Sequence, residues 1–138
     1  KKSLPVINSE ISKVLASVVD FEVFFETEDN RLDIYLKHPD RDPSPLEMAS
    51  GAEKTVSSMA IRLAFIAVST IPRSQLFVLD EPGTSLDEER MEGFTRILEI
   101  VKSVFKTVML ISHLDSLKDS ADSIINIEKK NGYANVNC

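Results

Sequence analysis

Gln75-Leu76-Phe77-Val78-Leu79-Asp80-Glu81-Pro82 is the stretch on which the reading of this chain turns. A short apolar run ends in two adjacent carboxylates. Runs that are apolar at every position form parallel strands buried on both faces, and such a strand is expected over 76–79. At its C-terminal end, Asp80 is placed to hold Mg²⁺ through a water, and Glu81 to polarise an attacking water. That chemistry needs the two groups side by side, which adjacent residues at a strand end supply. The bland alternative is a solvated acidic turn, and it leaves the apolar run and Pro82 unexplained.

A strand closed by such a pair is the Walker B arrangement of nucleotide hydrolases. Its usual companion is the Walker A phosphate loop, G-x-x-x-x-G-K-[ST]. The four glycines here are Gly51, Gly83, Gly93 and Gly132, and none begins that pattern. Residues 1–138 therefore read as one half of an ATPase. The first residue is Lys rather than Met, which agrees with a piece of something longer.

The 138 residues suffice for a single domain with its own core. An apolar content of 43% and a charged content of 28% are those of an ordinary globular chain. No apolar run reaches the roughly 18 to 20 residues that cross a bilayer. The longest, 59–71, is interrupted by Arg62, and no secretory segment is present, so no membrane partner is expected. Cys138 is the only cysteine, which excludes disulfide scaffolds and thiolate metal sites and fits an intracellular setting (cytoplasm or nucleoid, or nucleus). The net charge of −6 is the wrong sign for a nucleic-acid platform, so phosphate contacts to any bound DNA fall to other parts of the parent.

Residues 5–19 carry apolar side chains at helical spacing behind Pro5. Residues 21–26 and 31–37 form a predicted hairpin around Thr27-Glu28-Asp29-Asn30, and 38–45 a loop. Ser50 opens a helix reaching about Thr70. A second helix is expected over 87–102, with Met91, Phe94, Ile97, Leu98 and Val101 on one face. Strands are expected at 107–111, at 124–128 and, past Asn131-Gly132, at 133–136. The fold class is α/β: a mostly parallel sheet flanked by helices, preceded by a helix and a β-hairpin.

Ser50-Gly51-Ala52-Glu53 reads as a capping box. The bland reading is a well-capped helix, yet a helix N-terminus with free N–H groups, a hydroxyl and a close-approach glycine also suits a phosphate. Thr84-Ser85-Leu86-Asp87 supplies an N-cap for the next helix. His113 comes after the 107–111 strand, which should lie beside the Asp80 strand, at the edge where open α/β sheets bind ligands. His38 lies in a Pro/Asp loop with no partner pattern and reads as a surface residue, as does Cys138.

Taken in order, these elements resemble the C-terminal lobe of an ATP-binding-cassette ATPase of the SMC-like branch, within it the Rad-fifty/SbcC family of DNA double-strand-break repair. Ser50-Gly51-Ala52-Glu53-Lys54 is similar to that branch's signature motif, and Val78-Leu79-Asp80-Glu81-Pro82 to its Walker B. Leu86-Asp87-Glu88-Glu89-Arg90 resembles the D-loop. Ile111-Ser112-His113 resembles the H-loop, and residues 117–122 the segment C-terminal to it. The likeness covers about 46–128. Ala52 departs from a usual second glycine, and its methyl would crowd a phosphate. Ala49 stands where a leucine is common, which would soften the packing below.

The resemblance implies head-to-head dimers with two ATP molecules between them. Asp80 (with Mg²⁺), Glu81 and His113 would act on nucleotide held by the P-loop of the same head. Ser50 and Gly51, with Ala52 and Glu53 of the same motif, would serve the γ-phosphate held by the opposite head, and Asp87 would couple the two sites. Implied partners are the N-terminal Walker A lobe reached through a coiled coil, a second head in a homodimer, an SbcD-type nuclease and double-stranded DNA. The rivals are a chromosome-organising SMC or RecN-type head, a transporter nucleotide-binding domain, which keeps Walker A on one continuous chain, and a non-enzymatic docking lobe.

Overall fold

The computed structural model describes residues 3–72, 74–80, 88–113 and 115–138. Helix α1 spans Leu4–Leu15 with Pro5 in its first turn, where a missing N–H costs nothing. It is shorter than its apolar pattern. The chain leaves the helix after Leu15, yet Val18 and Phe21 still turn into the core. Next comes the hairpin of β1 (Glu22–Glu28) and β2 (Arg31–Lys37). Its turn is tighter than the sequence reading: Thr27 and Glu28 stay in the ladder, and only Asp29 and Asn30 connect the strands. Both take positive φ, 45° and 66°, as a two-residue turn matched to strand twist requires.

The expected loop at 38–45 ends in a strand. β3, Ser44–Pro45, pairs antiparallel with Leu36 and Tyr35 of β2, giving the order β1–β2–β3. Asn8 of α1 closes onto the other side of this sheet. Its side-chain amide donates to the Phe25 carbonyl at 2.9 Å, and its carbonyl accepts from the Phe25 N–H at 2.8 Å.

Helix α2 spans Gly51–Val68 and packs on α1, burying Val56, Met59, Ala60, Leu63 and Ala64. β4 (Leu76–Asp80) and β5 (Thr107–Ile111) form the parallel ladder, joined by α3 (Glu88–Val104) in the crossover. The expected face of α3 is the buried one, with Phe94, Ile97, Leu98 and Val101 at most 3% exposed and Met91 packed against them. A 3-10 turn at Asp115–Ser120 leads to β6 (Asn126–Lys130) and β7 (Tyr133–Asn137), an antiparallel hairpin turning on Asn131-Gly132.

The α/β class, the parallel sheet and the N-terminal helix and hairpin are thus as expected. Among the described residues the parallel sheet has two strands, and the last hairpin stands as its own pair. One expectation is corrected. β4 is not covered on both faces. Phe77 and Leu79 are buried, while Leu76 and Val78 on the opposite face are 44% and 37% exposed. Among the described residues, helices cover one side of this ladder only.

Candidate functional site

The N-terminus of α2 is built as the sequence indicated. The Ser50 N–H donates to Glu53 Oε2 at 2.7 Å, and the Glu53 N–H donates to Ser50 Oγ at 3.3 Å. This reciprocal pair satisfies the cap residue and the third helical residue. Helix geometry leaves the N–H groups of Gly51 and Ala52 with no acceptor inside the helix. Gly51 is exposed, and its carbonyl is taken by the Thr55 hydroxyl at 2.9 Å.

Ala52 is buried, 3% exposed. That burial takes in methyl and backbone alike, so Gly51 is the more open residue of this helix end. Ala49 packs against the core cluster despite its small size.

Glu53 holds more than the cap. Its second oxygen, Oε1, lies 2.9 Å from Nε2 of His38. Burial pushes the Glu53 carboxyl up. Hydrogen bonds from the Ser50 backbone and hydroxyl, then the charge and hydrogen bond of His38, outweigh that and hold it below its usual 4.5. His38 is therefore no free surface residue: its side chain is 19% exposed and packs on the Phe21 ring, with centroids 5.6 Å apart. The sequence reading missed it because the contact joins residues fifteen apart through tertiary structure, which leaves no local pattern.

The other half of the site lies at the end of the parallel ladder. Asp80 is the last residue of β4 and pairs with Ile111, the last of β5. His113 comes two residues after Ile111, so the ladder brings Asp80 and the His113 segment to one sheet edge. By strand alternation Asp80 shares the face of Leu76 and Val78, the open one. It also lines a cavity of about 260 Å³ with Lys54, Thr55, Ser58 and Arg62 of α2. Arg62 ties helix to strand, its guanidinium 4.6 Å from the centre of the Phe77 ring and 3.5 Å from the Val78 carbonyl. The sequence reading treated Arg62 only as an interruption of an apolar run.

Glu81 and Asp87 lie outside the described residues, as does the Pro82-Gly83-Thr84-Ser85 loop. Among the described residues no three His, Cys, Asp or Glu side chains gather as a metal cage, and no helix is long and apolar enough to cross a membrane. Mg²⁺ does not ask for such a cage, since it is commonly held by one or two carboxylates plus substrate phosphates and water. An exposed carboxylate at a strand end, as at Asp80, fits that donor set.

No family profile matches the chain. It is 30% identical over 152 aligned positions to an uncharacterised protein of Acanthamoeba polyphaga mimivirus, covering 99% of this chain and 11% of that protein. It is 29% identical to the DNA double-strand break repair Rad50 ATPase of Pyrococcus abyssi, covering 99% of this chain and 16% of the relative. It thus spans about a sixth or less of these relatives. Among solved structures, it superposes with a TM-score of 0.73 and 21% identity on a chain from work on ATP-driven dimerisation and DNA-stimulated activation of SMC ATPases. That match covers 98% of this chain and 84% of the other, and at such identity it speaks to fold. In fold, the chain resembles the C-terminal lobe of an SMC-like ATPase head. Within that class its sequence similarity is to Rad50.

Proposed function

We propose that this chain is the C-terminal half of an ATPase head that binds and hydrolyses ATP when completed by a Walker A lobe and paired with a second head. The observation that carries the reading is the parallel β4–β5 register, which puts Asp80 beside Ile111 and the His113 segment at the same sheet edge. Bound there, Mg²⁺ would neutralise phosphate charge. Asp80 would hold it, Glu81 would orient and polarise the attacking water, and His113 would face the phosphate from the neighbouring strand. The N-terminus of α2, through Ser50 and the N–H of Gly51 with Glu53 holding the cap, would receive the γ-phosphate of the opposite head. Asp87 couples the two sites.

The open face of the ladder supports the need for a second lobe. Leu76, Val78, Met109 and Ile111 are between 37% and 47% exposed, on a sheet type that is normally covered on both sides. We place the Walker A lobe on this face, where it meets Asp80. By its similarity to Rad50, the assembled head works in DNA double-strand-break repair inside the cell, closing on ATP and regulating an SbcD-type nuclease at duplex ends. The likeness to SMC structures favours a second reading, in which the same cycle organises chromosomes with no nuclease.

The test is Mg-ATP turnover by this chain alone and after mixing with its parent's Walker A lobe, with and without linear duplex DNA. Turnover only on mixing supports the reading, and stimulation by DNA ends supports the repair role. Turnover by the chain alone, or none on mixing, overturns the half-site assignment.

A further inference from the structure

We infer that His38 is a positioning residue for the pairing of two heads: from the end of β2 it pins the free oxygen of the Glu53 carboxylate, and so fixes the N-terminus of α2 against the β1–β2–β3 sheet. The inference rests on the nucleotide reading above and adds to it the part that sets the phosphate-facing helix end.

A capping box needs one carboxylate oxygen, the one that accepts the cap residue's N–H. Here the two oxygens are divided. Oε2 takes the Ser50 N–H at 2.7 Å, and Oε1 takes Nε2 of His38 at 2.9 Å. A carboxylate tethered only to its own helix moves with that helix. One that is also held from a neighbouring sheet cannot, so the frame of Ser50, Gly51 and Ala52 is referred to the hairpin.

His38 is itself well fixed. It comes directly after Lys37, the last ladder residue of β2, which pairs with Glu22. Its ring leans on the buried Phe21 at an interplanar angle of 59°, and its carbonyl accepts the Arg41 N–H at 3.5 Å. Glu53 offers only acceptors when ionised, so Nε2 carries the proton, and the bond forms with the imidazole neutral or charged. The nearby Asp40 and Arg41 pair with each other at 3.6 Å with both side chains exposed, and leave this contact alone.

The effect falls on one step. In the proposed cycle nucleotide first binds the P-loop of its own head, and α2 meets the γ-phosphate only when a second head closes. Small errors in donor placement are costly for such contacts. Loss of His38 should therefore weaken closure and spare the first binding event.

The experiment uses the full-length parent carrying Glu81→Gln, in which ATP should accumulate closed dimers. His38→Leu is expected to raise the protein concentration for half-maximal ATP-dependent dimerisation about tenfold, the scale of one hydrogen bond to a charged group. The affinity of single heads for a fluorescent ATP analogue should not change. His38→Gln, whose amide N–H can take the place of Nε2, should restore dimerisation to within about threefold of the parent. Amide exchange gives a readout independent of nucleotide. The Ser50 and Glu53 N–H groups should exchange faster in His38→Leu and not in His38→Gln, with α3 amides unchanged in both. Dimerisation and exchange both unaffected in His38→Leu would overturn the inference, as would His38→Gln behaving like His38→Leu. If the Glu81→Gln parent with His38 intact fails to dimerise on ATP, the nucleotide reading falls, and exchange still decides whether His38 sets the helix end.

Discussion

In the β1–β2–β3 sheet, Val23, Phe25 and Leu36 are between 2% and 8% exposed, whereas Leu76, Val78, Met109 and Ile111 of the β4–β5 ladder are between 37% and 47% exposed. The first sheet turns one apolar face to α1 and α2 of its own chain and carries charged residues around the stacked Phe24–Tyr35 pair on the other. The second is apolar on both faces, and α3 with its neighbours covers one. A strand written for double coverage but covered once is the mark of a core shared with another piece of protein. On the proposed function the two regions would differ in where their folding energy comes from: the hairpin sheet closes within the chain, and the parallel ladder would close on a second lobe.

The largest effects should separate these regions. Phe94 is fully buried under the covered side, so Phe94→Ala should cost about 3–5 kcal/mol in a urea melt of the chain. Val78→Glu should cost far less in that melt, about 1 kcal/mol, because Val78 is already more than a third exposed. It should nonetheless abolish co-elution with the Walker A lobe, where it would bury an unpaired charge. A strong loss of stability in Val78→Glu, or intact assembly, would break the comparison.

Next comes the junction of the hairpin sheet with α2. The Glu53 carboxyl is held below its usual 4.5, so in the folded state it gives up its proton more readily than in the unfolded chain. Its stabilising contribution is therefore complete above that value and fades as the pH falls through the lower, folded one. Glu53→Gln should be less stable than wild type at neutral pH, and the gap should close in acid. Urea melts across that range are the check, and a gap that widens in acid would reverse the sign argued here.

The smallest effect concerns Gly93 in α3. A methyl added there would meet Val19 Cγ1 at 3.4 Å and the Val18 carbonyl at 3.6 Å, ordinary contact distances. Gly93→Ala should therefore stabilise by about 0.5–1 kcal/mol through helix propensity, seen as a small rise in the melting midpoint. A clear loss would mean that the 18–19 segment cannot give way at all.

Much of this was legible in the sequence because it is local. The capping box is contained in Ser50 to Glu53, the two-residue turns carry Asp-Asn and Asn-Gly, and the 107–111 strand reads from its own composition. β3 was not legible, since Ser44-Pro45 has no strand propensity and becomes a strand only by meeting β2. The same holds for His38, whose role depends on Phe21 and Glu53 arriving from elsewhere. The apolar run at Leu76 is a strand as expected but is not doubly buried, because composition alone does not say which of two apolar faces the chain's own helices cover. Of the candidate site, the Ser50 to Glu53 cap and the Asp80 strand end lie as the motifs suggest, while Glu81 and Asp87 lie outside the described residues.

The double bond between the Asn8 amide and the backbone of Phe25 bears on solubility. Among the described residues β1 is an edge strand, and an edge with free N–H and C=O groups invites a foreign strand to add to the sheet. At Phe25 those groups are already taken by a side chain that mimics a backbone partner while α1 stands in the way. A foreign strand therefore cannot pair along the full length of β1, and this edge is guarded at its centre by the chain's own first helix.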